Sequence, residues 1–238
     1  MNLTNGADHL MTYLRPTPWD KRNFNINTYE VTSSGEDALQ ETDKHEGHFT
    51  LKVNPLENPK ELLAHGFYYM DTLIEPVCKK ENLRYFEHEN TFISQEYNAQ
   101  EVFDIAEEAF MHGRFHRDFH IASSLADLRY LNWVKDLHEK EQLFGLYFEN
   151  RLAGFYAFED DKVLLLGIKE QFRNKGLAKT FTSQGCKEQF KLGNQKLRTS
   201  ISAANVASLN LFYSLGFKLT NTIDVYHKLT GPSPSEVL

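Results

Sequence analysis

The sequence is poor in cysteine, has no long apolar run and carries no block of positive charge. Cys78 and Cys186 are its only cysteines, and they lie far apart. This usage favours a reducing compartment and argues against a disulfide framework or a thiolate zinc site. No apolar run approaches the ~20 residues of a membrane-spanning helix, and the first residues lack the basic and apolar regions of a signal peptide. We therefore predict a cytoplasmic protein without a membrane partner.

The overall charge is modestly negative. The 238 residues carry a formal net charge of -7, and no segment is dominated by lysine and arginine, which argues against a nucleic-acid partner. The hydrophobic content of 41% and the charged content of 25% are typical of a globular chain. This length accommodates one large or two small domains.

The most informative stretch lies in the second half of the chain. Residues 163–166 are a short apolar run bounded by Asp160-Asp161 and Gly167, which favours a buried strand. The pattern Arg173-x-x-Gly176-x-Ala178 follows and leads into a helical pattern. A loop entering a helix directs unpaired N–H groups at one point, and small residues let a phosphate approach the main chain. The surrounding charge is positive (Lys169, Arg173, Lys175 and Lys179 against Glu170), so the stretch predicts a diphosphate site.

Two motifs together resemble a known superfamily. The spacing in the loop is neither that of a P-loop nor that of a dinucleotide fingerprint. It resembles the [RQ]-x-x-G-x-[GA] signature of the Gcn5-related N-acetyltransferases (GNAT). A second segment, Asn205-Val206-Ala207-Ser208-Leu209-Asn210-Leu211-Phe212-Tyr213-Ser214-Leu215-Gly216-Phe217, resembles the N-x-x-[AS]-x-x-[LF]-Y-x-x-x-G-F segment of the same enzymes. The resemblance covers roughly residues 98–229.

The resemblance implies a fold and a cofactor site. The expected fold is α+β (mixed α/β), a GNAT fold with a twisted, mixed but mostly antiparallel sheet flanked by helices. The co-substrate would be acetyl-CoA, with its pyrophosphate held by Arg173, Asn174, Lys175, Gly176, Leu177 and Ala178. The pantetheine arm would pair with Leu166 and Ile168 and contact Asn205, with Phe212 beside it. Asn174 and Ala178 stand where the usual loop of the superfamily has glycines.

The resemblance also implies a reaction. An amine would attack the thioester, and the Ile168 N–H would stabilise the oxyanion. Tyr213 would be the general acid for the thiolate, because a phenol with a pKa of ~10 is suited to that step. The general base stays open among His116, Asp118, His120 and a water chain. The alternative interpretation of Tyr213 is an ordinary core tyrosine.

A stretch rich in histidine and arginine precedes the motifs. His112, His116 and His120 have a spacing that would resemble a metal-binding face on a helix. Gly113 weakens such a helix, and no carboxylate or cysteine completes a ligand set, so we predict no metal. We predict instead an acceptor-binding loop formed by Arg114, His116, Arg117 and Asp118, because guanidinium groups match phosphate geometry. A solvated polar loop is the alternative.

Further segments resemble one group within the superfamily. This loop, Trp19-Asp20-x-x-x-Phe24 and Gly66-Phe67-x-x-x-Asp71-Thr72 together look like the two-part dTDP-fucosamine acetyltransferases. A faint repeat at an offset of 150 residues agrees, since Leu62-Leu63-Ala64-His65-Gly66-Phe67 parallels Phe212-Tyr213-Ser214-Leu215-Gly216-Phe217. We predict a degenerate acetyltransferase-like half at residues 1–90, an acetyl-CoA-binding domain at 91–230 and a flexible tail at 231–238.

The predicted function is acetyl transfer from acetyl-CoA to the amine of a nucleotide-linked amino sugar. Two alternatives stay open: a protein, peptide or antibiotic amine as acceptor, and a non-catalytic acyl-CoA-binding module. A homodimer is common among such enzymes, but no residue of this chain indicates one.

Local patterns predict most of the elements. A polar lead-in is expected at 1–18 and a loop at 33–47. Strands are expected at 26–31, 48–53, 67–77, 85–88, 143–148, 152–158, 163–166, 196–202, 217–219 and 222–228. Helices are expected at 59–66, 98–111, 124–138, 176–192 and after Asn205, with Asn98 and Asn205 as N-caps. The strands at 143–148 and 152–158 are expected to form a hairpin that turns at Asn150-Arg151.

Overall fold

The structure is a computed structural model that describes residues 12–110 and 113–234. It contains eleven strands and eight α-helices within these ranges. In chain order they are β1 (Leu14–Pro16), α1 (Pro18–Phe24), β2 (Thr28–Val31), α2 (Glu36–Asp43), β3 (Gly47–Val53), α3 (Lys60–Ala64), β4 (Tyr68–Lys79), β5 (Thr91–Ser94), α4 (Ala99–Ala109), α5 (Arg114–Arg117), α6 (Ser123–Glu139), β6 (Leu143–Phe148), β7 (Arg151–Glu159), β8 (Lys162–Ile168), α7 (Leu177–Lys191), β9 (Lys196–Arg198), β10 (Ile201–Ser202), α8 (Val206–Ser214) and β11 (Lys218–Thr230).

All the strands belong to one sheet, in the order β1-β2-β3-β11-β4-β9-β8-β7-β6-β5, and β10 pairs with β4 outside this path. Most pairs are antiparallel; β2 with β3 and β8 with β9 are parallel. The predicted mixed, mostly antiparallel sheet flanked by helices is therefore confirmed. The last strand, β11, lies between β3 and β4, so the end of the chain completes the part of the sheet formed by its beginning.

The sheet opens between β8 and β9. These parallel strands are joined at a single position, Lys162 opposite Arg198. Beyond this point β8 continues along β7, whereas β10 pairs with β4 through Ile201 and Ile74. The two halves of the sheet therefore diverge and leave a gap beside the carboxyl end of β8.

Helices cover both faces of the sheet, because side chains alternate between faces along each strand. Tyr156 of β7 packs with Phe181 and Cys186 of α7 in one cluster, whereas Phe155 packs with Val102 and other residues of α4 and α6 in another. At Gly185 of α7 a Cβ atom would lie 2.5 Å from the Tyr156 ring, so glycine lets the helix approach the sheet. The glycine thus sets the position of α7, whose first turn borders the gap.

Some local predictions are wrong. The predicted loop at 33–47 contains α2. Its apolar face consists of Ala38 and Leu39, which are buried in the core, and so few apolar residues did not produce a recognisable helical pattern. The lead-in predicted through residue 18 contains β1 and the start of α1. No strand forms at the predicted positions 85–88. The strand that follows β4 is β5, which begins at Thr91 and forms the edge of the sheet next to β6. The two predicted final strands are one strand, β11, with a register shift between Leu219 and Asn221.

Other local predictions are confirmed. Asn98 caps α4 by accepting a hydrogen bond from the Glu101 N–H. The predicted hairpin of β6 and β7 forms, but it turns at Glu149 and Asn150, one residue earlier than predicted; both residues have positive φ, as a tight hairpin turn requires. The predicted end of α4 at Met111 lies outside the described residues, as do residues 1–11 and 235–238. Within the described ranges, no helix combines the length and the hydrophobicity needed to cross a bilayer.

Candidate functional site

A cavity of about 430 Å³ lies where β8, the following loop and α7 meet. It is lined by Ile168, Phe172, Arg173, Asn174, Gly176, Leu177, Ala178, Lys179 and Leu211. Six of these residues (Ile168, Arg173, Asn174, Gly176, Leu177 and Ala178) are among those predicted to hold a CoA diphosphate and its pantetheine arm. The structure thus brings a stretch of consecutive residues to one concave surface beside the gap in the sheet.

The loop before α7 has the backbone shape of an anion cradle. Asn174 and Gly176 have left-handed conformations with φ of 60° and 76°. Gly176 is the N-cap residue of α7, and no side chain caps the first turn. The N–H groups of that turn therefore have no helical acceptor and point towards the cavity, where the helix dipole adds positive potential. A Cβ atom on Gly176 would meet nothing within 4 Å, so the conformation rather than crowding calls for glycine.

The carboxyl end of β8 presents free main-chain groups to the gap. The Lys169 N–H donates to the Ala153 carbonyl of β7 at 2.9 Å. Hydrogen bonding alternates along an antiparallel strand, so the main-chain groups of Leu166 and Ile168 face away from β7. The Ile168 carbonyl accepts a hydrogen bond from Arg173 Nε at 2.9 Å. The Ile168 N–H remains directed into the gap, where the sequence predicts an oxyanion donor.

Helix α8 closes the other side of the gap. Asn205 caps it by accepting a hydrogen bond from the Ser208 N–H at 3.1 Å, which leaves the amide NH₂ of Asn205 at the surface. Tyr213 is 66% exposed, and no described residue hydrogen-bonds to its hydroxyl. The core-tyrosine interpretation of Tyr213 is therefore wrong. Phe212, predicted beside the cofactor, is buried against Phe217 instead, and Leu211 is the α8 residue that lines the cavity.

Residues 113–122 contain the short helix α5, which contacts β4. Here Arg117 forms an ion pair with Asp71 of β4 at 2.8 Å, and Asp71 also accepts a hydrogen bond from Ser202 of β10 at 2.8 Å. Asp71 is buried. Arg117 thus fastens the loop to the strand that borders the gap.

The other predicted acceptor-binding residues differ in their surroundings. His116 hydrogen-bonds to Asp127 at 2.8 Å, and its ring stacks on Tyr130. Arg114 has no hydrogen-bond or ion-pair partner among the described residues, and its Nε is enclosed. These two residues and Arg117 come from one turn of chain, but only the Arg114 guanidinium is free.

Asp118 is fully buried at the centre of a polar cluster. Its carboxylate accepts hydrogen bonds from His227 Nδ1 at 2.7 Å, from His48 Nε2 at 3.0 Å and from the Tyr68 hydroxyl at 3.0 Å. The His120 N–H adds a bond of 3.0 Å within the loop. His48, Tyr68 and His227 lie on the neighbouring strands β3, β4 and β11, so the cluster joins the loop to the first half of the chain.

The cluster has a fixed charge distribution. Burial alone would raise the pKa of the Asp118 carboxyl, but the hydrogen bonds from His227 and His48 outweigh it and hold that pKa well below its usual range. Burial lowers the pKa of His227 to about 3, so this imidazole is neutral near pH 7. Burial and the adjacent carboxylate raise the pKa of Tyr68 well above its usual value. Asp118 is thus a satisfied anion without solvent contact, which makes it a poor candidate for the general base.

His48, Asp118 and His227 also form a group that could hold a metal ion, with ligand atoms within 4.8 Å of one another. Their separations of 2.7 and 3.0 Å are those of N–H···O hydrogen bonds. We interpret the group as a hydrogen-bonded cluster. Of the histidines considered from the sequence, His112 lies outside the described residues, and His120 packs against Tyr68 and Phe119.

Sequence reasoning missed the partners of this loop. Asp71 and Ser202 are far from it in sequence, as are His48 and His227. A signal existed only for Asp71, which belongs to the quoted Gly66-Phe67-x-x-x-Asp71-Thr72 segment. The histidines stand in ordinary strand patterns, where nothing distinguishes them from surface residues.

No family model and no curated protein matches the sequence. Solved structures do resemble the fold. One is a GCN5-related N-acetyltransferase from Sphaerobacter thermophilus, with a TM-score of 0.63, 10% identity, and coverage of 92% of this chain and 77% of that one. Another is a tandem GNAT protein from the clavulanic acid biosynthesis pathway, with a TM-score of 0.51, 11% identity, and coverage of 87% and 76%. A third is the GCN5-related glucosamine N-acetyltransferase region of a fungal multi-domain GH3 beta-N-acetylglucosaminidase, with a TM-score of 0.58, 11% identity, and coverage of 85% of this chain and 30% of that one.

These likenesses concern the fold. The chain has the mixed α/β architecture of GNAT proteins, as the sequence predicts. At identities of 10–11% they carry neither a substrate nor a subgroup to this chain.

Proposed function

We infer that the chain is an acetyl-CoA-dependent N-acetyltransferase of the GNAT superfamily. The observation that carries this proposal is the cavity at the start of α7, with its uncapped helix N-terminus and left-handed Gly176. Such a cradle suits a diphosphate. The Leu166 main-chain groups and the Ile168 N–H beside it face away from β7 and suit the amides of a pantetheine arm, which would pair with them as a strand does.

The reaction is amine acetylation. The neutral acceptor amine attacks the acetyl carbonyl carbon, a C–N bond forms, and the C–S bond to CoA breaks. The Ile168 N–H donates to the oxyanion of the tetrahedral intermediate. Tyr213 gives its phenolic proton to the departing thiolate, and solvent or a nearby base takes the proton released by the amine. Tyr213 is exposed on α8, the helix that also contributes Leu211 to the cavity, which supports this assignment.

We propose a nucleotide-linked amino sugar as the acceptor, as in the dTDP-fucosamine acetyltransferases. Two observations support this choice. The loop at 113–122 carries Arg114 and Arg117, and the ion pair of Arg117 with Asp71 joins this loop to β4, a strand that borders the gap. One structural neighbour is described as a glucosamine N-acetyltransferase region. We propose His120 as the general base, because it is partly exposed beside Tyr68 whereas Asp118 is enclosed.

The first half of the chain is proposed to be a degenerate copy of the acetyltransferase half. A tandem GNAT protein among the structural neighbours supports this view. In this proposal residues 1–90 have no diphosphate loop of their own. They contribute β4, and with it Asp71, to the wall of the cleft.

The test is thiol release with acetyl-CoA against a panel of dTDP- and UDP-amino sugars, simple amines and peptides. Tyr213→Phe should lower kcat by roughly a hundredfold or more, the range for a lost general acid, with acetyl-CoA affinity unchanged. Tyr85→Phe is the matched control, because Tyr85 is also exposed but packs under Lys187 in the second half of α7. Unchanged turnover in Tyr213→Phe would remove the acid role. Absence of thiol release with every sugar nucleotide would remove the proposed acceptor.

A further inference from the structure

Arg114 presents an unusual cation. Its side chain is partly buried on α5, and its guanidinium finds no acceptor among residues 12–110 and 113–234. The guanidinium lies over the Phe115 ring, 4.8 Å from Cζ to the ring centroid. Burying a cation without a partner costs free energy, so proteins rarely retain such a group without a use for it.

The acidic side chains around Arg114 are already paired. Asp20 accepts a hydrogen bond from Arg129 Nε at 2.5 Å, and Asp71 is shared by Arg117 and Ser202. Burial and the positive charge of Arg129 lower the pKa of Arg114 below its ordinary value. The surroundings therefore disfavour the charge of Arg114. A bound anion would pair with the buried guanidinium and offset the repulsion from Arg129.

The position of Arg114 fits a substrate contact. Its neighbour Asp71 belongs to β4 and bonds to Ser202 of β10, at the border of the gap beside β8. Arg117, by contrast, has its Nη2 paired with the buried Asp71 carboxylate. The two arginines that the sequence presents as an equivalent pair thus have different surroundings.

We propose that Arg114 binds an anionic oxygen group of the acceptor, a carboxylate or a phosphate, and that Arg117 is a positioning residue that holds the loop on Asp71. This proposal rests on the proposed acetyltransferase function. It specifies the substrate class as amines that carry one anionic group within reach of α5. A guanidinium group can bind carboxylate and phosphate oxygens equally well, so acceptors that carry one or the other group must be compared to identify the anion.

The experiment compares three acceptors: an amino sugar, its anomeric phosphate and the corresponding amino uronic acid. Wild type should favour one or both anionic forms by roughly tenfold or more in kcat/KM, and the preferred form identifies the anion. Arg114→Gln should lose this preference, a change of at least about 1.4 kcal/mol in the discrimination between anionic and neutral acceptors. Arg114→Lys should restore part of it. Arg15→Gln, on the edge strand β1, is the matched control and should retain the preference.

A second readout does not depend on turnover. Calorimetric titration of the preferred anionic acceptor, with CoA present, should give at least roughly tenfold weaker binding for Arg114→Gln. Its thermal midpoint should not fall below that of wild type, because the substitution removes an unpaired cation. Equal losses for neutral and anionic acceptors, or a retained preference, would overturn the proposal.

The two proposals can fail separately. If wild type binds no acetyl-CoA in calorimetry, the acetyltransferase function fails. If wild type binds acetyl-CoA and acetylates amines without regard to their charge, only the role of Arg114 fails.

Discussion

The cavity at the start of α7 and the cluster around Asp118 are built in opposite ways. The cavity takes most of its residues from a single stretch, 168–179, and uses main-chain groups left open at a helix start. The Asp118 cluster takes its members from β3, β4, β11 and the loop at 113–122, and every hydrogen bond of the carboxylate is satisfied inside the protein. The open region is suited to receive a ligand, whereas the closed region is suited to hold two parts of the chain together. Their residues should therefore respond differently to substitution.

The closed cluster should show the largest effect on stability. Asp118→Asn removes a buried anion that four donors surround, and it places an NH₂ group against two imidazole N–H groups. We expect a loss of about 3–5 kcal/mol in the free energy of unfolding, measured by urea denaturation. Asp127→Asn, in the partly exposed pair with His116, should cost less than ~1 kcal/mol. Similar costs for the two variants would mean that Asp118 does not hold the loop.

The cluster should also make stability depend on pH. The pKa of His227 is about 3 in the folded chain and about 6.5 when unfolded, so the unfolded chain binds more protons between these values. The stability from neutral His227 is complete above pH 6.5 and declines as the pH falls towards 3. At pH 5 the loss should be roughly 2 kcal/mol.

His227→Asn tests this dependence, because the asparagine NH₂ can replace Nδ1 as a donor to Asp118 but does not titrate. Urea denaturation at pH 7 and pH 5 should give a smaller difference for the variant than for wild type. An unchanged difference would show that other groups carry the pH dependence.

The open region should show the smallest effect on stability and a selective effect on binding. Gly176→Ala places a Cβ atom in free space but strains the left-handed backbone by ~1–2 kcal/mol. If the loop relaxes to relieve this strain, its N–H groups move away from the cavity, and we expect acetyl-CoA affinity to be roughly tenfold weaker. Gly66→Ala is the matched control, since Gly66 has a φ of 78° and equally free space after α3. Gly66→Ala should cost similar stability and leave acetyl-CoA affinity unchanged. If both variants lose affinity equally, the loop at Gly176 has no specific role in CoA binding.

The same contrast explains what the sequence could predict. The loop before α7 could be recognised in the sequence because a strand, a glycine and a helix start follow one another within a few residues. Asn205 as a cap and the β6–β7 hairpin are readable for the same reason. The role of Asp118 is not, because it is fixed by side chains 70 and 109 residues away. Helix α2 was not predicted because its local pattern contains few apolar residues. Its packing depends on two buried residues, Ala38 and Leu39, and their partners lie elsewhere in the sequence.

Phe212 and Arg117 show the limit of a motif. Phe212 stands inside the resembling segment, but its side chain faces the core, because α8 turns Leu211 towards the cavity. Arg117 could pair with an anionic acceptor, but in the folded chain it forms an ion pair with the buried Asp71 carboxylate of β4. Spacing along the chain identifies a helix or a loop, but only the packing decides which side chains face the ligand.

The central claim is that main-chain amides around residues 174–178 hold the diphosphate of CoA. The most direct measurement is calorimetric titration of the wild-type chain with acetyl-CoA and with S-acetylpantetheine, which lacks the diphosphate. We predict one acetyl-CoA bound per chain and affinity for S-acetylpantetheine at least roughly tenfold weaker. Equal affinities for the two compounds, or no binding of acetyl-CoA, would contradict the account.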